Sequence, residues 1–422
     1  MTVSARRLRS VRIGSAAILA SVLMLAPSVA AADPATDGFW YFDSFNIQKA
    51  HDEGYTGEGV TIVVVDTAIN LEVPTLQDAD IEVLDSTCYD KNDELLSPTS
   101  TDVKIAEHGT NVVSYLVGSG KGYPGQTGVK GIVPDAKVIF VSTGQLDSSG
   151  EILCERAFQD TSSAIAQGLE AAVDMDADLV SLSVTGSGGA ALESLTTALA
   201  VGIPIIVAVG NEQFGDGTTG FPKIANGVAG VQSLDSNAQV QGGHTDVNTD
   251  VGGPGVQLVW QGDDSWEQQR YATGTSLATP IVAGMLALVA QKYPDATGNQ
   301  LLQTLIHNTG VDDHELSFDA ENRYGYGVAS ATHMLRVDPT QYEDVNPLLA
   351  EGDEFDPTRE AVAAAAEALD NPASPTPDPE GPTGSAVPWL PILIGVGVLL
   401  IVIVVVVIVV AAARRRTTPP QN

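Results

Sequence analysis

One stretch restricts the possible folds more than any other: the apolar run Ile281 to Tyr293, entered through Gly274-Thr275-Ser276-Leu277-Ala278-Thr279-Pro280. Leu277, Ile281, Val282, Met285, Leu286, Leu288 and Val289 spread around most of a helical circumference, so this helix has no face to turn to water. A helix of that kind belongs inside a layered domain, with other elements on every side. Ala278, Ala283, Gly284 and Ala287 are the small residues that let neighbours press close. Pro280 is expected in the first turn, where its missing N–H breaks no intrahelical bond. Ser276 then lies at the helix N-terminus, beside free backbone N–H groups and the positive end of the dipole. That position suits a nucleophile and its oxyanion, and taken alone it suits a simple N-cap equally well.

The layers come from the rest of the chain. Residues 61–65 are a continuous β-branched run, read as a buried parallel strand, and Asp66 closes it. In open α/β sheets chemistry collects beyond the carboxyl ends of strands, although an aspartate there also caps turns. From residue 137 strands and helices alternate: strands at 137–141, 179–184 and 203–209, helices at 158–174 and 190–200. This βαβ rhythm predicts a parallel sheet with helices on both faces. Glu107-His108-Gly109-Thr110-Asn111 opens another apolar helix, with His108 expected in its first turn. Asn211 follows the strand at 203–209, either as a turn residue or as an amide offered to a reacting carbonyl. Residues 215–255, rich in Gly, Asp and Asn, read as short strands and loops walling a cleft. Further helices are expected at 298–308 and 330–335. Asp90, Asn92, Asp93 and Glu94 form an acidic loop whose spacing matches no defined calcium loop.

The two ends speak to location. Arg6, Arg7, Arg9 and Arg12 precede an apolar run and the small residues at 28–32, the pattern of a secretory signal peptide over 1–32. Residues 389–413 form an uncharged apolar stretch longer than the ~20 residues that span a bilayer. Arg414-Arg415-Arg416 follows and places the tail at 414–422 in the cytoplasm. Residues 337–388 are acidic and then proline-rich, a spacer with a short helix within it. Cys88 and Cys154 fall in the exported part, where a disulfide between them is expected to contribute roughly 4 kcal/mol. The chain carries 20 basic and 53 acidic residues. Seven of those basic residues lie in the acid-free ends, so the region between is far more acidic still. Such a surface repels nucleic acid, which excludes it as a partner.

Asp66, His108, Asn211 and Ser276 stand in chain order as orienting acid, base, oxyanion donor and nucleophile. The motifs Val65-Asp66-Thr67, His108-Gly109-Thr110, Val209-Gly210-Asn211 and Gly274-Thr275-Ser276-Leu277-Ala278-Thr279-Pro280 resemble those of the subtilisin-like serine proteases, the subtilases. Phe221-Pro222, Gly253-Pro254-Gly255 and Gly325-Tyr326-Gly327 are similar to further landmarks of that family, and the resemblance covers about residues 39–335.

The resemblance implies a three-layer α/β fold with a mostly parallel central sheet over 33–336, to which the apolar stretch at 389–413 adds one C-terminal transmembrane helix. It implies Asp66, His108 and Ser276 as the catalytic triad, with Asn211 and the Ser276 N–H as the oxyanion hole. Ser183, Val184, Thr185, Gly210 and Phe221 are implied as substrate-binding. It calls for no cofactor and no catalytic metal, with structural calcium left open. Two positions depart from the family: Ala68 where glycine is usual, and Thr185 where glycine commonly stands beside the bound peptide. Signal peptide, protease domain, proline-rich spacer and single span together resemble the mycosins, membrane-anchored subtilases of actinobacterial type VII secretion systems. The short stretch between Ala32 and Asp66, too small for the folded propeptide of other secreted subtilases, agrees with that. The expected partners are protein or peptide substrates, the secretion membrane complex, and the membrane itself, with the catalytic domain outside. A general cell-surface protease and a subtilase-fold scaffold for a membrane complex fit the same residues.

Overall fold

Six residues of strand β1 (Thr61–Asp66) show how the domain is built. Ile62 and Val64 enter one hydrophobic core, Val63 and Val65 the other. Successive side chains of a strand leave opposite faces, so an unbroken β-branched run is what a strand covered on both sides requires. The computed structural model describes residues 37–146, 152–154, 161–184, 191–211, 220–241, 246–320, 324–352 and 356–371. The expected signal peptide, the proline-rich part of the spacer, the membrane span, the cytoplasmic tail and Thr185 lie outside the described residues.

Six more strands join β1: β2 (Ile81–Val83), β3 (Lys137–Ser142), β4 (Leu179–Leu182), β5 (Ile205–Ala208), β6 (Ala229–Leu234) and β7 (Val251–Pro254). Their order is β7-β6-β5-β4-β1-β3-β2, and every neighbouring pair is parallel. From β1 the chain goes to β2 and then β3 on one side and returns to β4 on the other. The direction of winding therefore reverses beside β1, and a crevice opens past the carboxyl ends of the strands there.

Helices α1 (Val103–Val117) and α4 (Thr275–Lys292) cover one face with α5 (Gly298–His307); α2 (Thr161–Asp174) and α3 (Leu192–Ala200) cover the other. This is the three-layer α/β fold expected. Every residue of α4 from Thr275 to Ala290 is buried, and the helix packs on β4, β5, β6, β7 and α1. By length and composition α4 is apolar enough to cross a bilayer, but its burial makes it the central core helix. Cys88 and Cys154 form the expected disulfide, with Cα atoms 5.3 Å apart.

The structure departs from the sequence reading in four places. Helix α1 begins at Val103, capped by Asp102, whose carboxylate accepts from Lys104 N at 3.0 Å; His108 is thus past the first turn. Pro280 lies inside α4, because the helix already starts at Thr275. Residues 229–234 and 251–254, expected among short strands and loops walling a cleft, are strands of the main sheet. Beyond residue 336 the chain keeps packing instead of becoming a spacer at once. Asn346 Nδ2 donates to Gly227 O, and Asn226 Nδ2 donates to Ala350 O and Pro357 O. Leu349 and Val362 are buried in the core on the α2 and α3 face. By chain contacts, residues up to Ala366 form one unit, and the helix Arg359–Asp370 carries the described chain beyond it.

Candidate active site

Asp66, the last residue of β1, is completely buried at the switch point. Its backbone carbonyl accepts from Thr143 N at 2.7 Å. Its Oδ1 accepts from Thr67 N at 2.7 Å and from His108 Nδ1 at 2.6 Å. The first bond is the turn-capping role open to any aspartate; the second is not. His108 reaches Asp66 because Gly109 lets α1 press against the end of β1. A Cβ on Gly109 would stand 2.6 Å from the Thr67 carbonyl oxygen, closer than such atoms approach. A hydrogen bond from Nδ1–H to a carboxylate fixes the tautomer that leaves Nε2 basic.

Burial by itself would push the His108 imidazole down. The Asp66 charge and hydrogen bond, with Glu107 adding to them, outweigh burial and hold its pKa above the ordinary histidine value. The ring keeps 26% of its side chain exposed, so it remains reachable from the crevice. Glu107 is itself held: its Oε2 accepts from Trp260 Nε1 at 3.0 Å and from Arg270 Nη2 at 3.2 Å. The Trp260 and His108 rings meet edge to face at 5.8 Å between centroids, and the Arg270 guanidinium lies 5.0 Å from the Trp260 ring centroid. Trp260 and Arg270 sit on a hairpin of Leu258–Gln261 and Gln269–Ala272.

Ser276 is the second residue of α4, and the N-cap is Gly274, so Ser276 is not the cap. Its hydroxyl makes no hydrogen bond among the described residues. Its carbonyl would ordinarily accept from the N–H of residue 280, which proline lacks. The hydroxyl of Ser183, just past β4, donates to that carbonyl instead, at 3.0 Å. The N-terminal turn of α4 is thereby tied to the sheet.

Asn211 is tied to the same turn. Its Oδ1 accepts from Thr275 N at 2.9 Å, and Gly210 N donates to Thr275 Oγ1 at 3.1 Å. The Asn211 amide N–H groups are then turned away from Thr275. A Cβ built on Gly274 would lie 3.4 Å from Asn211 Nδ2 and from Ser276 Oγ alike. The Asn211 side chain and the Ser276 hydroxyl therefore both lie beside Gly274, at the helix N-terminus.

The structure brings Asp66 to His108, and Asn211 to Ser276. Four of the substrate-binding candidates, Ser183, Val184, Gly210 and Phe221, are among the described residues. Ser183 and Val184 are each 8% exposed, with the Ser183 hydroxyl engaged as described. Phe221 is buried in the same core as Leu349, so its ring packs inward. Gly210 holds a left-handed φ of +102°, suited to glycine, in the turn that carries Asn211. In the acidic loop Asp90 Oδ1 accepts from Asn92 N and Glu94 N, using its oxygens within the loop. Sequence reasoning did not single out Glu107, Trp260 or Arg270. The adjacency of Glu107 to His108 was the one available signal.

The profile of the subtilase family matches residues 57–327. The thermostable alkaline protease of Halalkalibacterium halodurans is 28% identical over 63% of this chain, which spans 66% of that protein's length. Subtilisin Savinase of Lederbergia lenta is 28% identical over 70% of this chain and 98% of its own. Among solved structures, MycP1 from the ESX-1 type VII secretion system superimposes with a TM-score of 0.55 at 20% identity, covering 74% of this chain and 88% of that one.

Proposed function

This chain belongs to the subtilase family of serine proteases, and on that premise we propose that it is a serine endopeptidase acting through Ser276, His108 and Asp66. The observation that carries the reading is the 2.6 Å bond from His108 to a fully buried Asp66 at the switch point. His108 Nε2 takes the proton as Ser276 Oγ attacks the substrate carbonyl. The Asn211 amide and the Ser276 N–H receive the oxyanion, aided by the positive end of α4. Collapse expels the amine, which takes its proton from His108. Water then hydrolyses the acyl-enzyme by the same path. Asp66 keeps the imidazole oriented and stabilises the imidazolium. The backbone at residues 183–184 and Gly210 offers an edge for an extended peptide to pair with.

The test is turnover of an unstructured protein substrate by the full-length chain and by its Ser276→Ala variant. Cleavage by the first and not the second supports the reading. Equal cleavage, or none by either folded protein, contradicts it.

The protease domain is further proposed to lie outside the cytoplasmic membrane, tethered by residues 389–413 and associated with a type VII secretion complex. The signal-like residues 1–32, the apolar span and its trailing arginines support the topology. The fold likeness to MycP1 supports the association. Purification of the tagged full-length chain from its native membranes tests both. Recovery in the soluble fraction, or without secretion-complex subunits, counts against this placement.

A further inference from the structure

Beside the oxyanion segment lies a buried ion pair that the triad does not use. Lys223 Nζ is 2.9 Å from Asp246 Oδ2, with the two side chains 2% and 0% exposed. The ammonium also donates to the carbonyl of Val209 at 2.8 Å. Val209 immediately precedes Gly210 and Asn211. Asp246 is held in turn, its Oδ1 accepting from Asn248 N at 2.9 Å and from Asn248 Nδ2 at 2.7 Å.

A buried ion pair is a weak device for stability, since apolar side chains of similar volume usually serve the fold as well or better. Its placement suggests another use. The turn at Gly210 has a left-handed φ of +102°, and a Cβ built there would come within 3.6 Å of Lys223 Nζ. Thr275 holds this turn from the helix side, through Gly210 N and Asn211 Oδ1. Lys223 holds it from the opposite side, through the Val209 carbonyl. Without the second anchor, a glycine turn would hold the Asn211 amide by one side only. Small displacements of an oxyanion donor cost rate, because such donors act by being already aimed.

We infer that the Lys223–Asp246 pair is a positioning device that sets the Val209-Gly210-Asn211 turn and so aims the Asn211 amide at the oxyanion. This rests on the protease reading above. The side chains are sealed from solvent, so the pair acts through the backbone and not on substrate.

The experiment uses the full-length chain with five variants: Lys223→Met, Lys223→Met/Asp246→Asn, Lys223→Arg, Asn211→Ala and Asn211→Ala/Lys223→Met. Measured for each are kcat and KM on a peptide substrate, the affinity of a peptide boronic acid that mimics the tetrahedral intermediate, and Tm. The inference expects both charge-removed variants to lose about tenfold or more in kcat, with KM little changed. Boronate affinity should fall by a similar factor, and Lys223→Arg should recover most of both. In the Asn211→Ala background the Lys223 substitution should add little further loss. A folded Lys223→Met/Asp246→Asn variant with kcat and boronate affinity within about twofold of the parent overturns the inference. So does failure of both charge-removed variants to fold, which assigns the pair to the core alone. Absence of turnover by the unmodified chain would instead remove the protease reading itself.

Discussion

The hydroxyl of Ser183 donates to the backbone carbonyl of Ser276 at 3.0 Å, making the bond that Pro280 cannot. Strand end and nucleophile-bearing helix are joined by that contact. Ser183→Ala leaves a buried carbonyl unpaired, and the expected loss is about 1–3 kcal/mol of unfolding free energy. Pro280→Ala restores an N–H to the same carbonyl. In that background Ser183→Ala should cost less than about 1 kcal/mol, a coupling that a double-mutant cycle in urea reads directly.

His108 sits above its ordinary pKa, with burial opposing and Asp66 and then Glu107 raising it. Only the neutral imidazole accepts the Ser276 proton, so kcat/KM should fall as pH drops through a value above the unperturbed ~6.5. Glu107→Gln removes a negative charge while keeping an acceptor for Trp260 and Arg270. The acid limb of the pH profile should move to lower pH. An unmoved limb would mean that Glu107 only braces the hairpin.

Asn211→Ala should lower kcat by about 10²–10³ with little change in KM, a magnitude established on this family's type member. The oxyanion exists only along the reaction path, so ground-state binding should hardly notice the loss.

Asp250 is half-buried where β6 and β7 meet, its carboxylate accepting from Gly230 N at 2.8 Å. Burial raises its pKa from 3.8 to about 7. The folded protein therefore keeps a proton that the unfolded chain releases between those values. Stability from this group is complete below about pH 4 and is lost as pH rises to about 7, a change on the order of 4 kcal/mol. Asp250→Asn should flatten the dependence over that window. Urea unfolding at pH 5 and pH 8, compared between the two proteins, checks it.

Much of this was legible from residues, and the exceptions have physical reasons. The run at β1 announced a doubly covered strand because its four central residues, 62–65, are all apolar. Helix α4 announced its burial because it has no polar face. The start of α1 was not legible, since Lys104 and Glu107 dilute the apolar pattern and the cap at Asp102 carries the information instead. Strands β6 and β7 were hidden by glycines at 230, 252 and 253, which a close-packed sheet favours but propensity counts against. In the site, chain order pointed to Asp66 and His108 as partners. The Lys223–Asp246 pair was invisible, because lysine is normally exposed and its partner lies on a separate loop. The packing of Leu349 and Val362 was masked by the acidic composition around them.

The central claim is that Ser276 is a nucleophile driven by His108. The most direct measurement is mass spectrometry of the full-length chain after treatment with a fluorophosphonate, alongside His108→Ala and Ser276→Ala. A single adduct on the peptide containing Ser276, greatly slowed in the first variant and missing in the second, is the predicted result. An adduct on another residue, or equal labelling of all three folded proteins, would contradict the account.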